Sequence, residues 1–204
     1  MNRLLQELLN ELEAFGRSND QAISERSRRM LNITRDTGEF LSVIVQATSA
    51  RRLLEIGTSN GYSTLWLALA AQAVDGQVIT VELSEMKAAM AAGNFDRAGL
   101  SDFITQVVGN AAELIEAEAD GSFDLIFLDS ERNEYLDWWP NIRRILRPGG
   151  LLIVDNALSH ADETASFVGA VSEDREFTGC TVPVGKGEFL AYRAVEQPIA
   201  TRER

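Results

Sequence analysis

From Arg51 to Arg193 the chain alternates short unbroken apolar runs with stretches of helical period, and no other feature limits its fold so tightly. The runs are Leu53–Ile56, Val78–Val81, Phe103–Val108, Phe123–Leu128 and Leu151–Val154. Helical periods fill the intervals: Leu65–Val74, Met86–Ala98, Ala111–Ala119, Tyr135–Leu146 and about Glu163–Val171. A strand with one wet face alternates apolar and polar residues, whereas these runs do not alternate and so predict strands covered on both faces. The βαβα order then predicts a parallel sheet between helical layers. The end of the chain differs. Glu176–Val184 and Glu188–Arg193 flank Gly185-Lys186-Gly187, a tight-turn signal, so an antiparallel hairpin completes a mostly parallel seven-stranded α/β sheet.

Residues 1–50 carry no strand signal and read as a helical extension packed on the core of residues 51–194, with 195–204 a loose tail holding Pro198. A first helix presents Leu4, Leu5, Leu8, Leu9 and Leu12 and is expected to stop near Gly16. Thr37 stands as the N-cap of a second helix, before Phe40, Leu41, Ile44 and Val45. The leucine face covers either the chain's own sheet or a second subunit. Glu7, Glu11 and Glu13 interrupt it, so it does not read as a targeting segment, and no apolar run approaches the roughly 18 residues of a membrane span. With 19 basic against 31 acidic residues the net charge is −12, which repels phosphate backbones and anionic lipid and argues against nucleic-acid or membrane partners. One cysteine, Cys180, and one histidine, His160, exclude an intramolecular disulfide and a Cys/His zinc cluster. These counts point to a reducing, cytoplasmic setting. Cys180 falls in a strand and reads as a small buried hydrophobe.

Chemistry gathers at the carboxyl ends of the runs. The first is followed by Gly57-Thr58-Ser59-Asn60-Gly61-Tyr62-Ser63, where glycines let the backbone turn sharply and approach a ligand at a helix start. Gly57 and Gly61 are four apart with no Gly-x-Gly pair, unlike the nicotinamide fingerprint. Glu82 ends the second strand, where a carboxylate can hold both hydroxyls of a ribose. Singly, these residues could be a tight turn and a solvated strand end; together they indicate a nucleoside site. Asp129 ends the fourth run, and Asp155-Asn156 ends the fifth. If those strands are neighbours, about 5 Å apart, two carboxylates and an amide oxygen converge into a hard site suited to Mg²⁺. The alternative is two ordinary strand ends with Asn156 in an Asx turn.

Glu55-Ile56-Gly57-Thr58-Ser59-Asn60-Gly61-Tyr62-Ser63 resembles motif I of S-adenosylmethionine-dependent methyltransferases. Its Gly-Tyr-Ser ending is similar to the cation-dependent O-methyltransferases, the group of the catechol and caffeoyl-coenzyme A enzymes. Gly38-Glu39-Phe40-Leu41, Gly109-Asn110-Ala111, Phe127-Leu128-Asp129, Leu146-Arg147-Pro148-Gly149-Gly150 and Val154-Asp155-Asn156 extend the likeness from about Thr34 to Arg193. The resemblance implies a Rossmann-like methyltransferase fold, a homodimer, and transfer of a methyl group to a small molecule with adjacent hydroxyls. It places Glu82 on the cofactor ribose, Gly57, Thr58 and Ser63 by the methionine end, and Ala111 by the adenine. Glu55 and Asp129 join this cofactor set, and Asp129, Asp155 and Asn156 would hold Mg²⁺ or another divalent cation. Better-known members carry a lysine base three residues after the metal-binding aspartate. Here Arg132 stands there, and a guanidinium cannot accept that proton. Arg132 is therefore expected to steady the acceptor's oxyanion, with Asp129 at the reacting centre and solvent or Glu131 taking the proton. His160 is near enough in sequence to reach the acceptor. Trp138 and Trp139 could line its site or pack in the core. Two rival readings keep the cofactor: a methyltransferase with another acceptor and no catalytic metal, or a binding protein without catalysis.

Overall fold

The computed structural model describes residues 2–195. Seven strands form one sheet: β1 (Arg52–Ile56), β2 (Gln77–Glu82), β3 (Ile104–Val108), β4 (Phe123–Leu128), β5 (Leu146–Val154), β6 (Phe177–Val182) and β7 (Glu188–Arg193), in the order β3-β2-β1-β4-β5-β7-β6. β7 pairs antiparallel with both β5 and β6, while the remaining pairings are parallel. The helices are α1 (Arg3–Ala22), α2 (Arg35–Thr48), α3 (Tyr62–Ala73), α4 (Glu85–Ala98), α5 (Ala111–Ala117), α6 (Tyr135–Ile145) and α7 (Ala161–Glu173). Two apolar cores result, as expected for a sheet covered on both faces. Leu53, Leu125, Phe127 and Ile153 face α1–α4, whereas Leu54, Ile126, Leu152 and Val154 face α5–α7.

Topology locates the site. The chain runs from β1 outward through β2 and β3, then returns to β4 on the other side of β1. The loops after β1 and β4 thus diverge over a crevice at the carboxyl edge, the place where open α/β sheets bind ligands. Register brings Leu128 at the end of β4 opposite Val154 at the end of β5, so Asp129 and Asp155 leave adjacent strands side by side.

Three local expectations change. Helix α1 passes through Gly16 to Ala22, because that glycine is a point of close approach: a Cβ there would lie 2.5 Å from Asn32 Nδ2. The N-cap of α2 is Thr34, while the Thr37 hydroxyl points inward and donates to Glu188 Oε1 at 3.0 Å. Cys180 is exposed, since β6 is the outer strand of the sheet and buries little beyond Phe177. The leucine face of α1 is covered within the chain, Leu5, Leu8, Leu9 and Leu12 joining the core beside α3 and α4. Of the predicted tail only Val195 is described; residues 196–204 lie outside the described part. Among the described residues no helix is long and apolar enough to cross a membrane.

Candidate active site

A cavity of about 390 Å³ opens at the crevice. One end is built from the β1 loop. Gly57 has φ +106°, and a Cβ on it would lie 2.0 Å from the Asp129 carbonyl oxygen, so only glycine lets this loop press against the end of β4. Gly61 caps α3 at φ +84°, with Phe95 filling the space a Cβ would need. The Thr58 hydroxyl lies 2.6 Å from that of Thr80. Glu82 accepts the N–H of Ser59 at 2.8 Å and of Ser84 at 2.9 Å. These bonds fix the carboxylate at the cavity wall and leave lone pairs for hydroxyl donors. Gly57, Thr58, Ser63, Glu82 and Ala111 all line the cavity.

Glu55 does not. Its carboxyl is fully buried behind the loop and accepts from the hydroxyls of Ser63, Thr64 and Thr80, tying β1 to α3 and β2. Burial, working against those three hydroxyls, pushes its pKa up to about 7. The motif's glutamate therefore shapes the loop from within instead of meeting a ligand.

The other end is formed by the loops after β4 and β5. Asp129 and Asn156 line the cavity, whereas Asp155 is buried behind them beside Glu188. Loss of solvent, then repulsion from Asp155, holds the Asp129 carboxyl well above its usual range, with Lys186 opposing. Glu188 was not singled out in the sequence, because an acidic residue after a hairpin glycine reads as solvent-facing. Burial and the adjacent Asp155 raise its pKa to about 10, which favours its neutral form, and its Oε1 accepts from the Thr37 hydroxyl. Arg132 is also buried. Its Nε donates to Glu163 Oε2 at 2.7 Å and its Nη1 to Asn156 Oδ1 at 3.2 Å. His160 lines the cavity with Nδ1 at 2.9 Å from Ser159 Oγ. The tryptophans divide: Trp138 lines the cavity, and Trp139 packs on Phe167 and Phe177.

The roof is a part that motif reasoning could not supply. Met30–Ile33 lines the cavity, with Leu31 at φ +54°. Asp20 accepts the N–H groups of Met30 and Leu31 at 2.7 and 2.9 Å, and Ser59 Oγ donates to the Met30 carbonyl at 2.7 Å.

A mostly parallel sheet with a glycine turn and acidic strand ends across one crevice places the chain among the α/β proteins that bind ligands at the carboxyl edge of the sheet. Within that class the chain belongs to the O-methyltransferase family, whose model matches residues 5–194. It is 34% identical over 140 residues to a catechol O-methyltransferase of Niastella koreensis, covering 67% of this chain and 63% of that protein. It is 38% identical over 129 residues to a catechol O-methyltransferase of Mycobacterium tuberculosis, covering 62% and 57%. The matched region thus spans less than two thirds of either relative. Among solved structures, the O-methyltransferase of Bacillus cereus in complex with S-adenosylhomocysteine superposes with a TM-score of 0.75 at 27% identity, covering 95% of this chain and 91% of that one.

Proposed function

We propose that this chain transfers the methyl group of S-adenosylmethionine to a hydroxyl of a small molecule with adjacent, catechol-like hydroxyls, assisted by a divalent cation. One observation carries the reading: a single cavity joins the Gly57–Glu82 wall to the Asp129–Asn156 wall, so donor and acceptor share one enclosure. The family match, the relatives named for catechol methylation and the S-adenosylhomocysteine complex of a structural neighbour support it.

The donor set suits a hard cation. Asp129 and Asp155 leave neighbouring strands, neither has an ion-pair partner among the described residues, and their repulsion is what a divalent ion relieves. Asn156 offers the lone pair of Oδ1 that Arg132 does not use. Asp129, Asp155 and Asn156 would hold the ion, which when bound orients two adjacent hydroxyls and acidifies one of them. The chain does the rest. Glu82 receives the ribose hydroxyls, Ala111 lies by the base, and the backbone at Gly57 and Thr58 with Ser63 flanks the methionine end. Arg132, held by Glu163, fixes Asn156 and sets a permanent positive charge by the acceptor. The roof at Met30–Ile33 keeps water from the reacting pair. Assembly as a homodimer in the cytoplasm belongs to the same reading; Leu4 and Phe15 stay exposed on α1 for a partner.

The test is labelled-methyl transfer from S-adenosylmethionine to a catechol panel, with Mg²⁺ and with EDTA. Transfer that EDTA abolishes and Mg²⁺ restores is expected. Transfer indifferent to EDTA overturns the cation and keeps the methyltransferase. No transfer to any member, with tight cofactor binding, favours the cofactor-binding rival.

A further inference from the structure

The acceptor end of the cavity lacks the lysine that position 132 would provide, and Arg132 is held by Glu163 and Asn156. Another lysine reaches the same cavity from a different element. Lys186 lies in the turn between β6 and β7, is half-buried, and lines the cavity with Asp129, Arg132, Asn156 and His160.

This turn is clamped on both sides. A Cβ on Gly185 would sit 2.1 Å from Thr37 Oγ1 and 2.6 Å from Thr34 Oγ1, and the Gly185 N–H donates to Asp36 Oδ2 at 3.1 Å. A Cβ on Gly187 would lie 2.4 Å from Leu158. The Lys186 carbonyl accepts the Ser159 N–H at 3.0 Å, and that of Gly187 accepts the Ala157 N–H at 2.8 Å. Glycines at 185 and 187, at φ +56° and +95°, let the start of α2 and the loop after β5 grip this backbone directly. What remains free is the Lys186 side chain.

The cavity's other acceptor-side cations are engaged in ion pairs. Arg26 pairs with Glu131 and Arg132 with Glu163, whereas the Lys186 ammonium makes no ion pair or hydrogen bond among the described residues. A half-buried ammonium within electrostatic reach of Asp129 but in direct contact with no carboxylate, on a pinned turn in a chain of net charge −12, is placed for negative charge that arrives with a ligand.

We propose that Lys186 is a catalytic residue for the acceptor: its ammonium donates a hydrogen bond to the acceptor oxygen as that oxygen carries negative charge. This rests on the methyltransferase reading above. The acceptor hydroxyl gives its proton to water, and the oxyanion is held by Lys186 Nζ–H. An oxygen lone pair then bonds to the sulfonium methyl carbon as the carbon–sulfur bond breaks, its electron pair staying on sulfur. The products are the methyl ether and S-adenosylhomocysteine.

The probe is 4-nitrocatechol, whose ionised form absorbs visible light. It is titrated spectrophotometrically on the full-length protein with S-adenosylhomocysteine bound and Mg²⁺ constant, and methyl transfer to it is measured in parallel. Lys186→Met should raise the apparent acid dissociation pKa of bound 4-nitrocatechol by about one unit, a tenfold loss of ionisation, and reduce kcat by about 100-fold with KM within about threefold. Lys186→Arg should keep most of the ionisation. Adding Arg132→Lys to the Met variant should recover part of kcat, which a merely misfolded turn could not do. Wild-type affinity for S-adenosylmethionine in the variants, read by tryptophan fluorescence, shows that the fold is intact. Equal titration and kcat in wild type and Lys186→Met overturns the role of Lys186 alone. A wild type that neither ionises nor methylates 4-nitrocatechol overturns the catechol-type reading, and this proposal with it.

Discussion

Replacing Glu55 by glutamine tests whether the centre of the glycine motif is held by a neutral or a charged carboxyl. Glu55 is wholly buried, its pKa is raised to about 7, and its unfolded value is near 4.5. For an acid raised on folding, the stabilising proton is fully present below the unfolded pKa and is lost as pH climbs through the folded one. Integrating between those values, ionisation of Glu55 removes about 2–3 kcal/mol of stability between pH 5 and pH 8. Glutamine matches the neutral acid in size and can still accept from Thr64 and Thr80 through its carbonyl, with its amide turned to the Ser63 hydroxyl. Glu55→Gln should therefore equal or slightly trail the wild type at pH 5 and exceed it by about 2 kcal/mol at pH 8. Urea unfolding followed by far-ultraviolet circular dichroism at both pH values gives the difference directly. Subtracting the two proteins cancels the other carboxyls, including Glu188. Parallel stability–pH curves would refute the reasoning, because Glu55 would then ionise alike in the folded and unfolded chain.

Glu82→Ala removes the carboxylate that lines the cavity and receives the Ser59 and Ser84 N–H groups; the Kd for S-adenosylmethionine should rise at least ~10-fold by calorimetry, and unchanged affinity would take Glu82 out of the cofactor site. Gly57→Ala forces a Cβ against the Asp129 carbonyl at a positive φ and should cost about 2–4 kcal/mol in a denaturant melt; a loss below about 1 kcal/mol would mean that the two loops separate freely. Cys180 should react with a thiol-specific chromogenic reagent in the native protein within minutes, and a thiol that reacts only in urea would contradict its exposure on β6.

Periodicity was enough for the sheet because β1, β2, β4 and the second half of β5 are short, largely apolar on both faces and bounded by glycine or an acidic end, so local pattern and tertiary role agree. The acidic ends were legible for the same reason: a charged residue directly after Leu128 or Val154 has nowhere to go but the edge of the sheet. Gly16 misled because a glycine that stops a helix and one that admits a neighbour look alike until Asn32 is in place. Cys180 misled because edge strands share the composition of central ones. Glu55 looked like a ligand contact within its motif, yet its role is set by three hydroxyls, two of them within ten residues and one on the next strand. Glu188 and Lys186 act through partners far away in sequence, Thr37 and Asp155 for one and the cavity for the other, and no local pattern announces such pairings.

The roof hangs from Asp20 on α1 and touches the cofactor loop chiefly through one backbone carbonyl at Met30. Its attachment is made by main-chain groups at Met30 and Leu31 and by the Asn32 amide, which donates to the Leu12 carbonyl at 3.1 Å, leaving the Leu31 side chain as the part that lines the cavity without anchoring the strip. Replacements of Leu31 can reshape this side of the cavity while β1, β2 and their turn stay as they are. A change of side chain there alters the cavity's lining and leaves its hydrogen-bonded frame in place, as one changes a mould while keeping the press.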